Sequence, residues 1–387
     1  MTVQAKFAAL SDDLNAIFAE RETSVENALV ALLSRQNSLA VGLPGIAKSA
    51  MIETLASRLT GVDFWSTTCD PCDPKDAILG PLDVKTFTES AVYRHNHEGT
   101  LVTANVGFLD EICQISPEAA KSLAGLLNPD ERRVFSEGQA VESPLTTVFA
   151  AANAWLLDCG RGDELLKIHD RFVLREEVMD LQSIEAILAV TDGHGAAETT
   201  GATVSLADLG KAHREVAAIP YGEEFLESRG GLIQDLRAAG VRVSTRTWAQ
   251  VWGDLHGGKP RTSVLRAAAY LRGGSEVTTE DLWILRSCLW NDADERRSVR
   301  EAILAHADPV IVSAETILAN VRAAMARVGN SWELDTIRGG ARQVEEQAQL
   351  LKALRDSSTR RRAQREANRA GRQLKARQAR AEARTRS

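Results

Sequence analysis

The pattern of apolar and polar positions divides the chain into an alternating first half and a helical second half. Short apolar runs at residues 38–41, 63–67, 106–109 and 147–152 are separated by segments with helical spacing. This alternation predicts a parallel sheet covered by helices on both faces. Strand signals fade after residue 181 and helical periodicity takes over, which predicts an all-helical second domain.

Finer features of the same pattern give the predicted boundaries. We expect an α/β domain over residues 1–180, a helical domain over 181–291, a helical extension over 292–356 and a basic tail over 357–387. The first domain opens with two helices before residue 36 and carries two predicted hairpins, at 84–94 and 133–141. Ser244 and either Thr278 or Thr279 are predicted helix N-caps. The tail is rich in Arg, Ala and Gln with almost no apolar face, so it is expected as a solvated helix or a disordered segment.

Composition narrows the class of protein. With 387 residues, 44% hydrophobic and 26% charged, the chain is expected to form two or three globular domains. No run of 18 or more apolar residues and no signal sequence is seen, so we expect no membrane insertion. The five cysteines, an odd number, predict reduced thiols and a cytoplasmic protein. Cys69 and Cys72 lack the further ligands of a zinc site.

Charge is distributed unevenly along the chain. The formal net charge is −7, yet the last fifty or so residues are strongly basic. A nucleic-acid contact is therefore unsupported for the chain as a whole and remains open for the tail.

A phosphate-binding loop is predicted directly after the first apolar run. A strand, a glycine-bearing loop ending in Lys-Ser and then a helix form the context that this motif requires. Glycines let successive backbone N–H groups point inward, the lysine reaches the β- and γ-phosphates, and the serine hydroxyl ligates Mg²⁺. Alanine takes the place of the glycine usual before the lysine, and it is acceptable if that position is helical. The residues are Gly42, Leu43, Pro44, Gly45, Ile46, Ala47, Lys48 and Ser49.

Two further polar sites follow buried strands. Asp110 and Glu111 end the apolar run at 106–109, where Asp110 is expected to hold Mg²⁺ and Glu111 to polarise the attacking water. Asn153 ends the run at 147–152 and is expected to contact the γ-phosphate or its water. The alternatives are a solvated acidic loop for the first pair and a helix or turn cap for Asn153.

Taken together, these motifs resemble those of the MoxR family of AAA+ ATPases, and within it the RavA-like subgroup. The resemblance covers roughly residues 10–295, and Ala-Lys-Ser is common in that family. Its supporting segments are residues 43–49, 78–82, 108–112, 243–248 and 288–292.

The resemblance implies a role for each matching residue. Lys48 and the loop 42–49 bind the phosphates of ATP, Ser49 and Asp110 hold Mg²⁺, and Glu111 activates water. Asn153 is then the first sensor, and Arg246 the second sensor in the helical lid. Arg171 is the implied arginine finger that reaches a neighbouring subunit, with Arg175 and Arg161 as alternatives. The two hairpins resemble insertions that face a central channel.

The function that the resemblance implies is an ATP-hydrolysing ring, expected to be hexameric, that remodels a client protein with a partner bearing a von Willebrand A domain. The sequence leaves two alternative functions open. One is a nucleic-acid motor or defence component that uses the basic tail. The other is a nucleotide-binding scaffold with negligible turnover.

Overall fold

In the computed structural model the described residues are 1–72, 76–90, 94–136, 139–159, 163–181, 187, 200–253, 261–329 and 331–386. Two helices open the chain, Val3–Ile17 and Glu22–Ser34, as predicted. Thr2 caps the first by accepting a hydrogen bond from Ala5 N. Nearly all of the second helix is buried.

A five-stranded parallel sheet forms the centre of the first domain. Its strands are β1 (Ser38–Val41), β3 (Phe64–Thr68), β4 (Val106–Asp110), β7 (Thr147–Ala152) and β8 (Leu174–Glu177), in the order β3-β4-β7-β1-β8. β1 pairs in parallel with both β7 and β8, so Val41 lies beside Ala152 and Glu177. The carboxyl ends of these strands therefore share one edge, which is where open α/β sheets bind ligands.

Helices cover both faces of this sheet, as the alternation predicted. All six residues of β7 are buried, as are the first four of β4. One face packs with the two N-terminal helices and with later helices, and the other with Pro117–Leu126, Asp163–His169 and neighbouring loops. The helix that follows the predicted phosphate loop is Lys48–Ser57. Shorter helical segments are Asp76–Leu79 and the 3₁₀ turn Ile112–Gln114.

Of the two predicted hairpins, one is confirmed and one is wrong. β5 (Arg133–Ser136) and β6 (Gln139–Glu142) pair antiparallel. The segment Val84–Ser90 is instead an α-helix. Asp83 begins it, because its carboxylate accepts hydrogen bonds from Thr86 N (3.1 Å) and Thr86 Oγ1 (2.6 Å), which satisfies a first-turn donor.

The described part of the second half is helical apart from β9 (Val204–Ser205), which pairs with β2 (Leu59–Thr60). Ser244 caps its helix through Thr247 N, and Thr278 forms a capping box with Asp281, so both predicted caps are confirmed. The predicted helix after Thr278 is a 3₁₀ helix, Thr279–Ser287. The other helices are Leu206–Ala218, Glu223–Ala238, Thr245–Trp252, Val264–Arg272 and Glu295–His306. The boundaries at residues 180, 291 and 356 stay predictions.

The last three helices, Pro309–Val328, Leu334–Ala353 and Ser358–Arg386, pack together, and we call them the C-terminal bundle. The expectation that the tail has no face to bury is wrong. Its alanines are small enough to let the helices approach closely, and a stripe at helical spacing is buried. The buried residues of the stripe are Ala363, Ala367, Ala370, Leu374 and Ala381.

Pro309–Val328 is the one helix, among the described residues, that is long and apolar enough to cross a membrane. Packing accounts for its composition. It contributes buried residues to the bundle core, and its buried Glu315 is bonded to Arg300 and Arg362.

Two cysteines differ from the prediction of reduced thiols. Cys113 and Cys159 form a disulfide, with the sulfur atoms 2.12 Å apart. The loop after β4 is thereby linked to the loop after β7. Among the described residues, the cysteines outside a disulfide are Cys69, Cys72 and Cys288, of which Cys72 is exposed.

Candidate functional site

The phosphate loop leaves the carboxyl end of β1 and turns into the helix Lys48–Ser57. Gly42 N donates to Ala152 O (3.1 Å), which fixes the start of the loop against β7. Gly45 and Ala47 both have left-handed backbones, with φ of 79° and 65°. Ala47 therefore does not have the helical backbone on which the sequence analysis made an alanine acceptable. A left-handed conformation costs an alanine roughly 1–2 kcal/mol.

Backbone donors in this loop are left open. Within the described chain, the N–H groups of Gly45, Ile46 and Ala47 have no protein acceptor. They lie at the amino end of a helix, where N–H groups and the helix dipole favour an anion. The loop therefore fits a phosphate group.

Lys48 bridges the loop to the next strand. Its ammonium donates to Gly42 O and Leu43 O, each at 2.7 Å, and to Asn153 Oδ1 at 3.3 Å. Burial lowers the pKa of Lys48, and the carboxylate of Asp110 opposes that shift. The cation and the amide of Asn153 are thus brought together at the start of the phosphate loop.

Ser49 and Asp110 also meet. Ser49 Oγ donates to Asp110 Oδ2 (2.6 Å), which joins the two predicted Mg²⁺ ligands directly. A hydroxyl and a carboxylate supply the oxygen donors that Mg²⁺ prefers. The pair therefore fits a magnesium ion.

Glu111 is the exposed residue next to this pair. Its backbone is left-handed (φ 50°), and its N–H donates to Asp110 Oδ1 (2.9 Å). The residue is the N-cap of the 3₁₀ turn Ile112–Gln114, so its side chain lies outside the sheet. A carboxylate in this position is accessible to water beside the phosphate loop.

Arg171 and Arg246 lie together, away from the phosphate loop. Arg246 Nη1 donates to Asp170 Oδ2 (2.7 Å). Among the described residues, the buried Nε and Nη1 atoms of Arg171 have no partner. The pKa of Arg171 is lowered by burial and then by the charge of Arg246. In the described chain neither side chain has a hydrogen bond or ion pair with residues 42–49.

The sheet separates these arginines from the loop. Asn37 immediately precedes β1, and its Nδ2 donates to Arg171 O (2.8 Å). Arg171 is therefore anchored at the amino edge of the sheet, whereas the phosphate loop leaves the carboxyl edge. A four-residue strand spans roughly 13 Å between those edges.

The alternative fingers differ in their surroundings. Arg175 is only 3% exposed and donates to the carbonyl oxygens of Cys288 and Trp290, with its guanidinium over the Trp290 ring. Burial lowers its pKa to about 10. It joins β8 to the helical region and is not free to reach another molecule. Arg161 lies outside the described residues.

Sequence reasoning missed the contribution of Arg21. This residue is 6% exposed, and its Nη2 donates to Ile46 O (3.2 Å), so it supports the phosphate loop from the position just before the second helix. Nearby, Asn27 Nδ2 donates to the buried Glu176 (2.9 Å), whose pKa is raised by burial. The signal available was the charged Glu20-Arg21-Glu22 segment between two apolar helices.

Comparisons with known proteins agree with this geometry. Residues 5–210, just over half of the chain, match a family model described as "MoxR domain in the MoxR-vWA-beta-propeller ternary systems". Residues 259–303 match an AAA lid domain.

Individual relatives are more distant. Two proteins of Methanocaldococcus jannaschii, MJ0079 and MJ0812, are each 26% identical to this chain. The first match covers 81% of this chain and 79% of the relative, and the second 74% and 72%. A crystal structure from Cytophaga hutchinsonii, provisionally described as an ATPase, superposes with a TM-score of 0.56 at 16% identity, over 79% of this chain and 95% of that one. That likeness concerns the fold alone. Because the family match spans more than half of its length, the chain belongs to the MoxR family of AAA+ proteins.

Proposed function

We propose that the protein is a Mg²⁺-dependent ATPase. The observation that carries the proposal is the meeting of Lys48, Asn153, Ser49 and Asp110 beside a loop with open N–H donors. This is the set of groups that a nucleoside triphosphate and its metal require. Family membership supports the same activity.

Each residue then has a distinct task. The open N–H groups of the loop and the ammonium of Lys48 hold the phosphates in place of the hydrogen bonds that Lys48 now makes within the loop. Ser49 and Asp110 hold the magnesium ion, which neutralises charge on the phosphates when bound. Glu111 orients the attacking water and accepts its proton, and Asn153 fixes the terminal phosphate.

A second copy of the chain completes the site. Arg171 and Arg246 lie at the sheet edge opposite the phosphate loop. Their distance from the loop of their own chain supports a contact with the nucleotide of a neighbouring molecule. The buried guanidinium atoms of Arg171 that have no acceptor in the described part of the chain would gain one there. Such a finger contributes about 10³–10⁵ in rate.

The assembly that we propose is a ring, with a hexamer as the expected size. A site shared between two copies requires a head-to-tail interface. Repeated head-to-tail interfaces form a closed ring when the rotation between successive copies closes. Ring motion would act on a client through exposed apolar groups such as Phe135 on the β5–β6 hairpin. By family analogy the partner carries a von Willebrand A domain, and the RavA-like subgroup stays a prediction.

The nucleic-acid alternative is less well supported by the contacts of the tail. Many of its cations are paired within the chain, including Arg362 with Glu315, Arg369 with Glu22 and Lys375 with Glu345. Paired cations release fewer counterions on binding a phosphate backbone. Salt-sensitive nucleic-acid binding that is lost on deleting residues 357–387 would restore this alternative.

The proposal is tested by measuring ATP binding and turnover across a range of protein concentrations. Lys48→Ala should lose both. Arg171→Ala should keep binding while turnover falls by about 10³-fold, as for other arginine fingers. Arg297→Ala is the control, because its exposed side chain forms an ion pair with Glu301 alone among the described residues.

Two outcomes would contradict the proposal. If Arg171→Ala lost binding and turnover equally, the finger assignment would be wrong. If wild-type protein bound ATP without any turnover and Glu111→Gln changed neither assembly nor activity, the scaffold alternative would stand instead.

A further inference from the structure

The disulfide between Cys113 and Cys159 joins the two loops that carry the proposed catalytic side chains. Cys113 lies in the 3₁₀ turn Ile112–Gln114, whose N-cap is Glu111. Cys159 lies in the loop that follows β7 and begins at Asn153. The Cα atoms of the two cysteines are 6.0 Å apart, although 46 positions separate them in sequence. The bond therefore connects the turn of the carboxylate proposed to activate water with the loop proposed to contact the terminal phosphate.

The Cys113 end of the bond is held close to both of those side chains. Two residues of chain span at most about 7 Å, so Cys113 moves with Glu111. Gln114 N donates to Glu111 O (2.7 Å), which closes the turn around Cys113. Cys113 Sγ lies 3.3 Å from Ala154 O, the carbonyl next to Asn153.

The Cys159 end lies in a loop that also contacts the helical second half of the chain. The ring of Trp155 packs edge to face on Trp290, with the centroids 5.0 Å apart, and the guanidinium of Arg296 lies 5.8 Å from the Trp155 ring centroid. Cys159 Sγ lies 3.2 Å from Trp155 O. The disulfide therefore couples this contact with the helical region to the turn that follows Glu111.

The surroundings of the two sulfur atoms suit a thiol as well as a disulfide. Ala154 O for Cys113 and Trp155 O for Cys159 lie at 3.3 Å and 3.2 Å, so each thiol has an acceptor when the bond is reduced. Both cysteines are partly exposed, so small thiols and disulfides can reach them. Cys288 differs, because it is fully buried and burial raises its pKa to about 12, which makes its thiol inert.

We propose that Cys113 and Cys159 are a reversible redox pair, and that their oxidation slows ATP turnover without weakening ATP binding. The inference rests on the proposed ATPase activity. It also agrees with the proposed cytoplasmic location, because disulfides in that compartment are usually transient and catalytic or redox-sensing.

The expected effect follows from what the bond holds and what it leaves unchanged. With the disulfide formed, Lys48 still contacts Asn153 and Ser49 still contacts Asp110, so the groups proposed to bind Mg²⁺-ATP stay assembled. During turnover Glu111 and Asn153 have to follow the water and the phosphate as the bond between them forms and the product leaves. A covalent link between their loops restricts that movement, and loop movements of this kind limit many turnover rates.

The oxidant in this exchange is a low-molecular-weight disulfide. The thiolate of one cysteine attacks a sulfur of that disulfide, breaks its S–S bond and releases one small thiol, which leaves a mixed disulfide on the protein. The thiolate of the second cysteine attacks the protein sulfur of the mixed disulfide and releases the second small thiol. The two cysteine protons end on the two small thiols, and two electrons pass from the protein to the oxidant. Reduction is the reverse sequence.

The test compares the full chain after equilibration with glutathione and with glutathione disulfide. Thiol labelling of the unfolded protein should count five thiols in the reduced form and three in the oxidised form. ATP turnover should be lower in the oxidised form by about tenfold or more. The affinity for Mg²⁺-ATP should stay within about twofold. Turnover that is equal in the two forms or higher in the oxidised form would overturn the inference, as would a thiol count that does not change.

Two variants locate the effect. The double variant Cys113→Ser, Cys159→Ser should turn over ATP at the rate of the reduced wild type under both conditions. Cys72→Ser is the matched control, because it removes an exposed thiol outside the disulfide and should keep the full redox response. A response in the double variant as large as that of the wild type would place the effect elsewhere and contradict the inference.

Failure of the proposed function would give a different result. If Lys48→Ala left both ATP affinity and turnover unchanged, the proposed phosphate site would be wrong. The thiol counts do not depend on nucleotide, so they report the redox pair separately from that site.

Discussion

At the scale of single residues, the chemistry depends on Glu111, whose side chain is exposed beside the phosphate loop. We expect Glu111→Gln to bind ATP as well as wild type, because it keeps the size and polarity of the side chain. Its turnover should fall by about 10²-fold or more, because an amide cannot accept the proton of the attacking water. Steady-state turnover and equilibrium binding measure the two effects separately.

The control for this variant is Glu118→Gln, an exposed acid in the first turn of the following helix, which should behave as wild type. Unchanged turnover in Glu111→Gln would show that another group activates the water.

The placement of single residues could be predicted from the sequence where the strand ends could be read from apolar runs. Lys48, Ser49, Asp110 and Asn153 each follow a run whose end is clear, so their meeting was predictable. The conformation of Ala47 was not predictable from the sequence. Alanine favours the right-handed region in isolation, and its left-handed backbone follows from the loop that holds it.

At the scale of elements, the helix Asp163–His169 carries a pH-dependent contribution to stability. His169 is 5% exposed, and burial, with the charge of Arg175, lowers its pKa from 6.5 to about 3. The unfolded chain therefore takes up a proton near pH 6.5, while the folded chain does not until near pH 3. Stability from this residue is complete above pH 6.5 and falls as the pH decreases towards 3.

We expect the wild type to lose about 2 kcal/mol more stability than His169→Phe between pH 7 and pH 5, at about 1.4 kcal/mol per pH unit below 6.5. His213, whose pKa is also lowered, contributes equally to both proteins. Denaturant unfolding at the two pH values gives the difference. Equal losses in the two proteins would show that His169 titrates normally in the folded state.

The structure of two elements could not be predicted from the sequence, because one depends on a local cap and the other on the packing of small residues. Residues 84–90 have the β-branched and aromatic composition of a strand, yet Asp83 caps them as a helix. The tail lacks large apolar residues, yet its alanines pack into the bundle. The spacing of large apolar side chains carries no information about a local cap or about the packing of alanines.

At the scale of the whole molecule, the strand order determines what each arginine can reach. Sequence motifs identified Arg171 and Arg246 without revealing that both lie across the sheet from the phosphate loop. That separation depends on β1 lying between β7 and β8, which is a tertiary property. The same is true of the bundle, whose contacts with Glu20 and Glu22 span most of the chain length.

The central claim is that one copy of the chain holds ATP and a neighbouring copy supplies Arg171. Mixing two inactive variants tests it most directly. Lys48→Ala retains the arginine but cannot bind phosphates, whereas Arg171→Ala binds phosphates but lacks the arginine. In randomly mixed rings roughly a quarter of the interfaces combine an intact loop with an intact arginine.

ATP turnover of the equal mixture is therefore predicted to rise well above that of either variant alone, towards a quarter of the wild-type rate. Turnover of the mixture equal to the mean of the two separate variants would contradict the account, because each molecule would then have to complete its own site.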